Sequence, residues 1–367
     1  MTRFAHALVL GKFYPPHAGH HALIRAAAAR SVRTTVSVLA SSVESIPLAD
    51  RVAWLTEEHA ADAGVAIIGD LDDHPINFHD DAIWELHAGI VRAVLARRAI
   101  ADGDPAAAHA DVVFSSEGYG AELARRLGAA HVLLDQDRTA HPVSGTAVRA
   151  DPAGRWHQLA PATRAGLAAR IVVLGAESSG TTTLSRDLAA HFGTESVEEY
   201  GRRHTEDKLT AASAIAGVAG HPEPGVADLV WTVGDFADVA GRQAAAEDHA
   251  AATGGPVVVC DNDPWAATVW CERYLGADHD MVHAAVGSRR PALYLLTDHA
   301  GVAFEQDGWR DGEHLRAWMT GRFAELLGDR GVPWRLVSGD RETRLAAAVE
   351  TAKAVLTTHF RYAAPLS

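Results

Sequence analysis

The stretch RIVVLGAESSGTTTL, Arg170–Leu184, constrains the fold of this 367-residue chain more than any other. A short unbroken apolar run, Ile171–Leu174, ends at Gly175. A glycine loop follows, and a helical pattern opens near Thr182. An apolar run without alternation reads as a strand buried on both faces. A strand that feeds a helix through a short loop begins a βαβ unit, so a parallel sheet covered by helices is expected. The loop keeps the glycines and the hydroxyl of the pattern G-x-x-x-x-G-K-[ST], at Gly175, Gly180 and Thr182. Its lysine position is Thr181. The backbone N–H groups of such a loop cradle phosphate whatever the side chains. The lysine adds positive charge toward the β- and γ-phosphates. Its loss leaves a phosphate nest with weakened transfer, unless another cation substitutes.

The same alternation of apolar runs and helical patterns fills the rest of the chain. In the first half, strands are predicted at Ala5–Leu10, Thr34–Ala40, Val65–Ile68, Asp111–Ser115 and His131–Leu134. Helices are predicted near Gly19–Arg30, Ala49–Ala63, Asp80–Arg98 and Tyr119–Leu127. The pattern breaks at DPAGRWHQLAPATR, Asp151–Arg164, and restarts at Arg170. Further strands are predicted at Pro256–Cys260, Ala292–Leu296 and Trp334–Val337. Helices are predicted at Val233–Ala252, Trp265–Leu275, Glu313–Leu327 and Thr343–Thr357. Leu209–Ala227, with its glycines and prolines, reads as a flexible loop. The fold class is therefore α/β, with two tandem domains at 1–160 and 168–367, each built on a parallel sheet.

Composition narrows the function. A formal net charge of −14 argues against nucleic-acid and anionic-membrane partners. No apolar run reaches the roughly 18 residues of a membrane span, and no secretory leader pattern opens the chain, so a cytoplasmic protein is expected. Cys260 and Cys271 match no zinc spacing and are read as buried and reduced.

A second glycine-bearing junction is GKFYPPHAGH, Gly11–His20. The prolines forbid an ordinary helix through Pro15 and Pro16, and the helix runs from about His20. His17 and His20 then sit at a helix mouth, where free N–H groups and the helix dipole favour phosphate. Gly19 permits close backbone approach. Histidines there can donate to phosphate oxygens and stabilise developing charge. Zinc ligation lacks a carboxylate or cysteine at a matching spacing, and the bland alternative is a structural or solvated pair. His21 reads as incidental. The segment DLDDHPINFHDD, Asp70–Asp81, is acidic and histidine-bearing. It reads as a strand-to-helix loop on a substrate rim, with a metal site as the alternative.

GKFYPPHAGH resembles the HxGH signature of nucleotidyltransferases. The second signature of that superfamily, ISxTxxR, has its counterpart in VSGTAVR, Val143–Arg149. Ser144 and Thr146 also fit a plain helix cap, and Arg149 adds a charged fork for phosphates. More narrowly, GKFYPxHxGH, RVAWL (Arg51–Leu55), FSSE (Phe114–Glu117), DQDRT (Asp135–Thr139) and the glycine loop together resemble the bifunctional nicotinamide-mononucleotide adenylyltransferase/ribosylnicotinamide kinase family. The resemblance covers nearly the whole chain. It implies a Rossmann-like nucleotidyltransferase domain followed by a P-loop NTPase/kinase-like domain. Some members carry a DNA-binding helix-turn-helix ahead of these; this sequence opens on its first strand, so that role is not expected.

The resemblance implies attack of the nicotinamide-mononucleotide phosphate on the α-phosphorus of ATP, giving NAD and pyrophosphate, with Mg²⁺ on the triphosphate. His17, His20, Ser144, Thr146 and Arg149 would meet ATP phosphates, with Lys12 close by and Gly11 and Phe13 against the substrates. Trp84 is a candidate to stack on the cationic nicotinamide, or equally a core tryptophan; Trp54 reads as core. The second domain would phosphorylate ribosylnicotinamide to nicotinamide mononucleotide. Its loop residues are Gly175, Glu177, Ser178, Ser179, Gly180, Thr181, Thr182 and Thr183. Asp261, with Thr182, would hold Mg²⁺. Glu198, Tyr200 and Asp263 fall on the substrate side. Arg202, Arg203 and Arg310 are candidates to replace the lost lysine, Arg310 from a mobile lid. Alternative readings are a nucleotide-sensing second domain without useful kinase activity, a binding regulator of a partner, and transfer to another acceptor such as a phosphopantetheine. A homo-oligomer is left open.

Overall fold

The computed structural model describes residues 3–77 and 79–366. Phe78, inside the acidic Asp70–Asp81 segment, lies outside the described residues. The chain divides into two compact units, Met1–Leu167 with Phe360–Ser367, and Ala168–His359. Each is an α/β unit with one five-stranded sheet whose paired strands run parallel.

The first unit runs β1 (Phe4–Gly11), α1 (Ala18–Arg30), β2 (Ser31–Ala40), α2 (Leu48–Glu58), β3 (Val65–Leu71), α3 (Asp81–Asp102), β4 (Val112–Ser115), α4 (Tyr119–Leu127), β5 (Ala130–Leu133), α5 (Gly145–Ala150) and α6 (Pro161–Leu167). The strand order is β3-β2-β1-β4-β5. The apolar runs are continuous because both faces are covered. Ala7 and Val9 of β1 join Val36, Val38, Phe114 and the α1 residues Leu23, Ile24 and Ala27 in one core. Leu8, pointing the other way, joins Val113, the α3 residues Ala88, Val91 and Leu95, and Leu123 of α4 in another.

The second unit runs β6 (Ala169–Gly175), α7 (Thr181–Phe192), β7 (Ser196–Val197), α8 (Tyr200–Ala219), α9 (Val233–Thr253), β8 (Val257–Asp261), α10 (Ala266–Leu275), α11 (Asp280–Val286), β9 (Leu293–Thr297), α12 (Arg316–Asp329), β10 (Trp334–Val337) and α13 (Arg341–His359). Its order is β10-β9-β6-β8-β7. Ile171 and Val173 of β6 pack with Val259, Leu293, Leu295, the α7 residues Leu184 and Leu188, and Ala348 and Ala352 of α13. Cys260 and Cys271 are free and buried.

The structure corrects the sequence expectation at Leu209–Ala227, at Trp54 and at residues 360–366. The flexible loop expected over Leu209–Ala227 is helix as far as Ala219, because α8 spans 20 residues. No residue of α8 is buried, so it carries no apolar stripe to betray it; Gly220 stops it in a left-handed conformation. The break at Asp151–Arg164 is ordered: Trp156 is buried in a short 3₁₀ turn, and α6 follows. Trp54 is half-buried, with Gly166 of α6 leaving room for its ring. The segment at 360–366 was assigned by sequence to the second domain, whereas it groups with the first unit.

Arg51 of RVAWL pins the first unit's loops. Its side chain and that of Glu44 are both fully buried and meet at 2.6 Å. Arg51 also donates to the carbonyls of Lys12 (2.9 Å) and Ile46 (3.0 Å). Arg51→Ala leaves the buried Glu44 carboxylate without its nearer counter-charge, with Lys12 at 3.4 Å remaining. It is expected to lower unfolding free energy by about 3 kcal/mol or more, read from urea denaturation; a loss under about 1 kcal/mol would contradict this role.

Candidate functional sites

The first site lies at the carboxyl ends of β1 and β4. The strand order reverses direction between them, and the crevice that opens there is the ligand position in open parallel sheets. A cavity of about 640 Å³ occupies it. Gly11, Lys12, Phe13, His17, Gly19, His20, Trp84, Ser144, Thr146 and Arg149 all line it, so the residues chosen from two distant motifs converge.

His17 is the N-cap of the 13-residue α1. Its ring stacks on that of His20, with centroids 3.6 Å apart. The His17 N–H donates to His20 Nδ1 at 3.3 Å. An accepting Nδ1 leaves the ring proton of neutral His20 on Nε2. Burial, with neighbouring histidines and Arg138, lowers His17 to about 3 and holds His20 well below the usual imidazole range. Both are therefore neutral donors near pH 7. His17 Nδ1 is buried with no hydrogen-bond partner among the described residues. Gly19 faces the His17 ring: an added Cβ would lie 3.4 Å from it.

Ser144 caps α5, accepting from the Ala147 N–H at 3.1 Å. Arg149 donates to the Tyr14 carbonyl (2.6 Å) and to Thr146 Oγ1 (3.3 Å), and its guanidinium lies 4.7 Å from the Tyr14 ring. Lys12 Nζ donates to the Leu366 carbonyl at 2.8 Å and lies 3.4 Å from Glu44. Trp84 belongs to the core cluster and walls the cavity as well, with the Arg126 guanidinium 5.5 Å from its ring.

Several lining residues escaped the sequence reading. Arg138 of DQDRT pairs with Glu117 of FSSE at 3.2 Å. Asp72 accepts from both His74 and His87. His87 stands on a helix 15 residues downstream of Asp72, so only the fold reveals that pairing. Among the described residues no group of three or more His, Cys, Asp or Glu is placed to hold a metal ion. His21 is buried and bonds His59, which bonds Asp62.

The second site is the β6–α7 loop. Gly175 is required by space, since a Cβ there would sit 2.2 Å from Thr297 Oγ1. Gly180 has φ +90°, a left-handed conformation suited to glycine. Ser179 donates to the Ala176 carbonyl and meets Thr297 Oγ1 at 2.6 Å. Thr182 Oγ1 donates to Asp261 Oδ2 at 2.6 Å, the Thr181 hydroxyl also acts on this carboxyl, and among the described residues the buried Asp261 Oδ1 has no hydrogen-bond partner. Thr181 and Thr183 open α7 beside it.

Glu177 and Ser178 bind protein as well as facing the loop. Glu177 accepts from Arg273 (3.0 Å) and the Gly312 N–H (2.8 Å), and Ser178 Oγ accepts from the Glu305 N–H. They thus tie down the segment that carries Arg310. Arg310 pairs with Glu305 and Asp307, and Arg202 pairs with the same Asp307 at 3.2 Å. Arg203 is exposed. The arginines that touch the loop backbone are others: Arg316 donates to the Ser178 carbonyl and Arg344 to that of Ser179.

Of the EE pair, Glu198 is exposed and pairs with Arg186. Glu199 is the one drawn inward, accepting from Asn262 at 2.6 Å. Neighbours in extended backbone face opposite ways, and sequence could not choose between them. Burial, then the Asp261 charge, pushes Glu199 up to about 7; burial also raises Asp261. Asp263 is committed to structure, accepting from Tyr294 OH (2.8 Å) and the Ala266 N–H (2.9 Å). Tyr200 donates its N–H to Gln243. An aromatic cluster was missed entirely. Trp231, Phe236 and Tyr274 lie with centroids 5.0 to 6.0 Å apart, and Arg273, the partner of Glu177, lies over Tyr274.

A family model described as "AAA domain" matches residues 170–344. The trifunctional NAD biosynthesis/regulator proteins NadR of Escherichia coli K12 and Salmonella typhimurium LT2 are each 24% identical to this chain, over 95% of it and 83% of their own length. Solved structures of NadR in complex with NR and in complex with NAD and AMP-PNP match at a TM-score of 0.64, with 18% and 16% identity and 97% of both chains covered. They share the α/β fold of two parallel sheets.

Glu199 yields a pH prediction. Its folded value lies above the ordinary carboxylate value of 4.5, so the native state holds the proton longer and stability falls as pH rises from about 4.5 to 7. Glu199→Gln is expected to match wild type near pH 4 and to exceed it by about 1–3 kcal/mol at pH 8 in the ligand-free protein. Parallel stability curves across that range would contradict the assignment.

Proposed function

We propose that the chain is an enzyme of NAD biosynthesis. In this reading the first unit is a Rossmann-like nucleotidyltransferase that moves the adenylyl group of ATP onto nicotinamide mononucleotide. The second is a P-loop kinase-like unit that phosphorylates ribosylnicotinamide. The observation that carries the first assignment is the convergence of neutral His17 and His20 with Thr146 and Arg149 on one cavity at a helix mouth. The NadR relatives support it in name and in length covered.

In the first reaction the mononucleotide phosphate attacks the α-phosphorus, and the bond to the bridging oxygen of pyrophosphate breaks. No proton need be removed from an already ionised phosphate. The protein's work is alignment and charge stabilisation. His20 Nε2–H and the Arg149 fork are donors for phosphate oxygens. Neutral imidazoles suit a buried place, since they donate without the cost of burying a cation. Trp84 offers its ring to the cationic nicotinamide.

In the second unit, Thr182 and Asp261 would hold Mg²⁺, and the unpartnered Asp261 oxygen fits that role. Bound with ATP, the ion would offset phosphate charge. Glu199, pushed up to about 7 by burial and the Asp261 charge, would accept the proton of the attacking hydroxyl in this reading. The Trp231–Tyr274 cluster suits a pyridinium ring. The product of this unit is the substrate of the other. The cell compartment proposed is the cytoplasm, and among the described residues no helix is long and apolar enough to cross a membrane.

Thr181 favours a second reading, in which this unit senses nucleotide without useful transfer. Arg310 and Arg202 are paired to Asp307 rather than free for phosphate. Two assays test these readings. With MgATP and nicotinamide mononucleotide, His20→Ala is expected to lower NAD formation by about 10²–10³ while the protein stays folded; near-normal turnover would refute the role. With MgATP and ribosylnicotinamide, Thr181→Lys is expected to raise phosphorylation by about tenfold or more. Equal and robust turnover of both forms would reject the sensor reading.

A further inference from the structure

Residues 360–366 follow α13 of the second unit yet belong to the first. They are held there by named contacts. The Tyr14 hydroxyl donates to the Ala363 carbonyl at 3.0 Å and accepts from the Ser45 N–H at 2.9 Å. The Ala363 N–H in turn donates to Ser45 Oγ at 2.7 Å. Tyr14, Ser45 and Ala363 therefore close a ring of three hydrogen bonds. The Tyr362 ring meets Tyr14 edge-on at 6.2 Å, and Phe360 meets the buried Trp156 at 6.3 Å. Beyond this anchor, Pro365 and Leu366 form part of the cavity wall. The Leu366 carbonyl takes one of the three N–H donors of Lys12, and Glu44 lies on its other side.

We propose that this strap is a positioning element of the first unit's nucleotide cavity. It completes one wall and holds the Lys12 ammonium in place, so ligand affinity in this unit depends on a segment that the sequence delivers after the other one. A flexible lysine that is already oriented loses less freedom when a phosphate binds. The contacts are directional and local: they fix Tyr14, whose carbonyl is the anchor of Arg149. The strap thereby reaches both Lys12 and Arg149, two of the cations that line the cavity. This inference rests on the reading that the cavity takes ATP.

The test compares the full chain with a chain ending at His359 and with Ser45→Ala, an exposed position that removes one bond of the ring. Lys12, Lys208 and Lys353 are the lysines of the chain, so trace acylation with acetic anhydride, read by mass spectrometry, reports on Lys12 without any ligand. Its labelling relative to Lys353 is expected to rise about fivefold in the shortened chain and about twofold in Ser45→Ala. With nicotinamide mononucleotide saturating, the KM for ATP is expected to rise about tenfold in the shortened chain with kcat changed less than about threefold. Unchanged labelling overturns the proposal. So does a lower KM with faster turnover, which would make the strap a block rather than a support. If the full chain makes no NAD, the reading of the cavity fails, and the labelling of Lys12 then decides the strap alone. Should the shortened chain fail to fold, Ser45→Ala carries both readouts.

Discussion

A parallel strand buried on both faces spends its own N–H and C=O groups on its neighbours, so the first free donors are those of the loop that leaves its carboxyl end. Both candidate sites are made from that constraint. β1 delivers the loop that ends at His17 and α1; β6 delivers the loop that ends at Gly180 and α7. Each is a central strand, flanked on both sides by parallel partners. A helix N-terminus points its unsatisfied N–H groups back at the sheet edge, and anions collect there.

The two loops handle charge differently. In the first unit, the groups nearest the helix mouth are imidazoles kept neutral by burial, with cations Lys12, Arg138 and Arg149 around the cavity. In the second, a lysine is missing from the loop, and buried Arg316 and Arg344 hold its carbonyls instead. Those arginines hold the carbonyl oxygens of Ser178 and Ser179 and so restrain the loop backbone.

Much of this was legible in the sequence, for a physical reason. Strand runs that must be buried on both faces have few alternatives, so the predicted limits of β1, β6, β8 and β9 lie within a residue or so of the observed ones. The histidine motif sits on the loop directly after β1, whereas VSGTAVR lies well beyond the end of β5 and only the fold brings it to the same cavity. What stayed hidden depends on tertiary pairing. Glu199 rather than Glu198 faces Asp261 because of which side the short β7 presents. Asp72 finds His87 only after α3 folds back over the sheet. α8 has no fully buried residue, and its half-buried face carries His204, Thr205, Lys208 and Ser213, so no apolar stripe marks it in the sequence. The 360–366 strap has no local pattern at all; its meaning lies in Ser45 and Tyr14, more than 300 residues away in sequence.

In the proposed reaction the first unit breaks ATP between its α- and β-phosphorus atoms. Phosphorus NMR of the full chain with MgATP and nicotinamide mononucleotide tests it directly. The ATP resonances are expected to give way to those of a dinucleotide pyrophosphate and free pyrophosphate in equal amounts. Release of ADP and inorganic phosphate, with no dinucleotide formed, would contradict it.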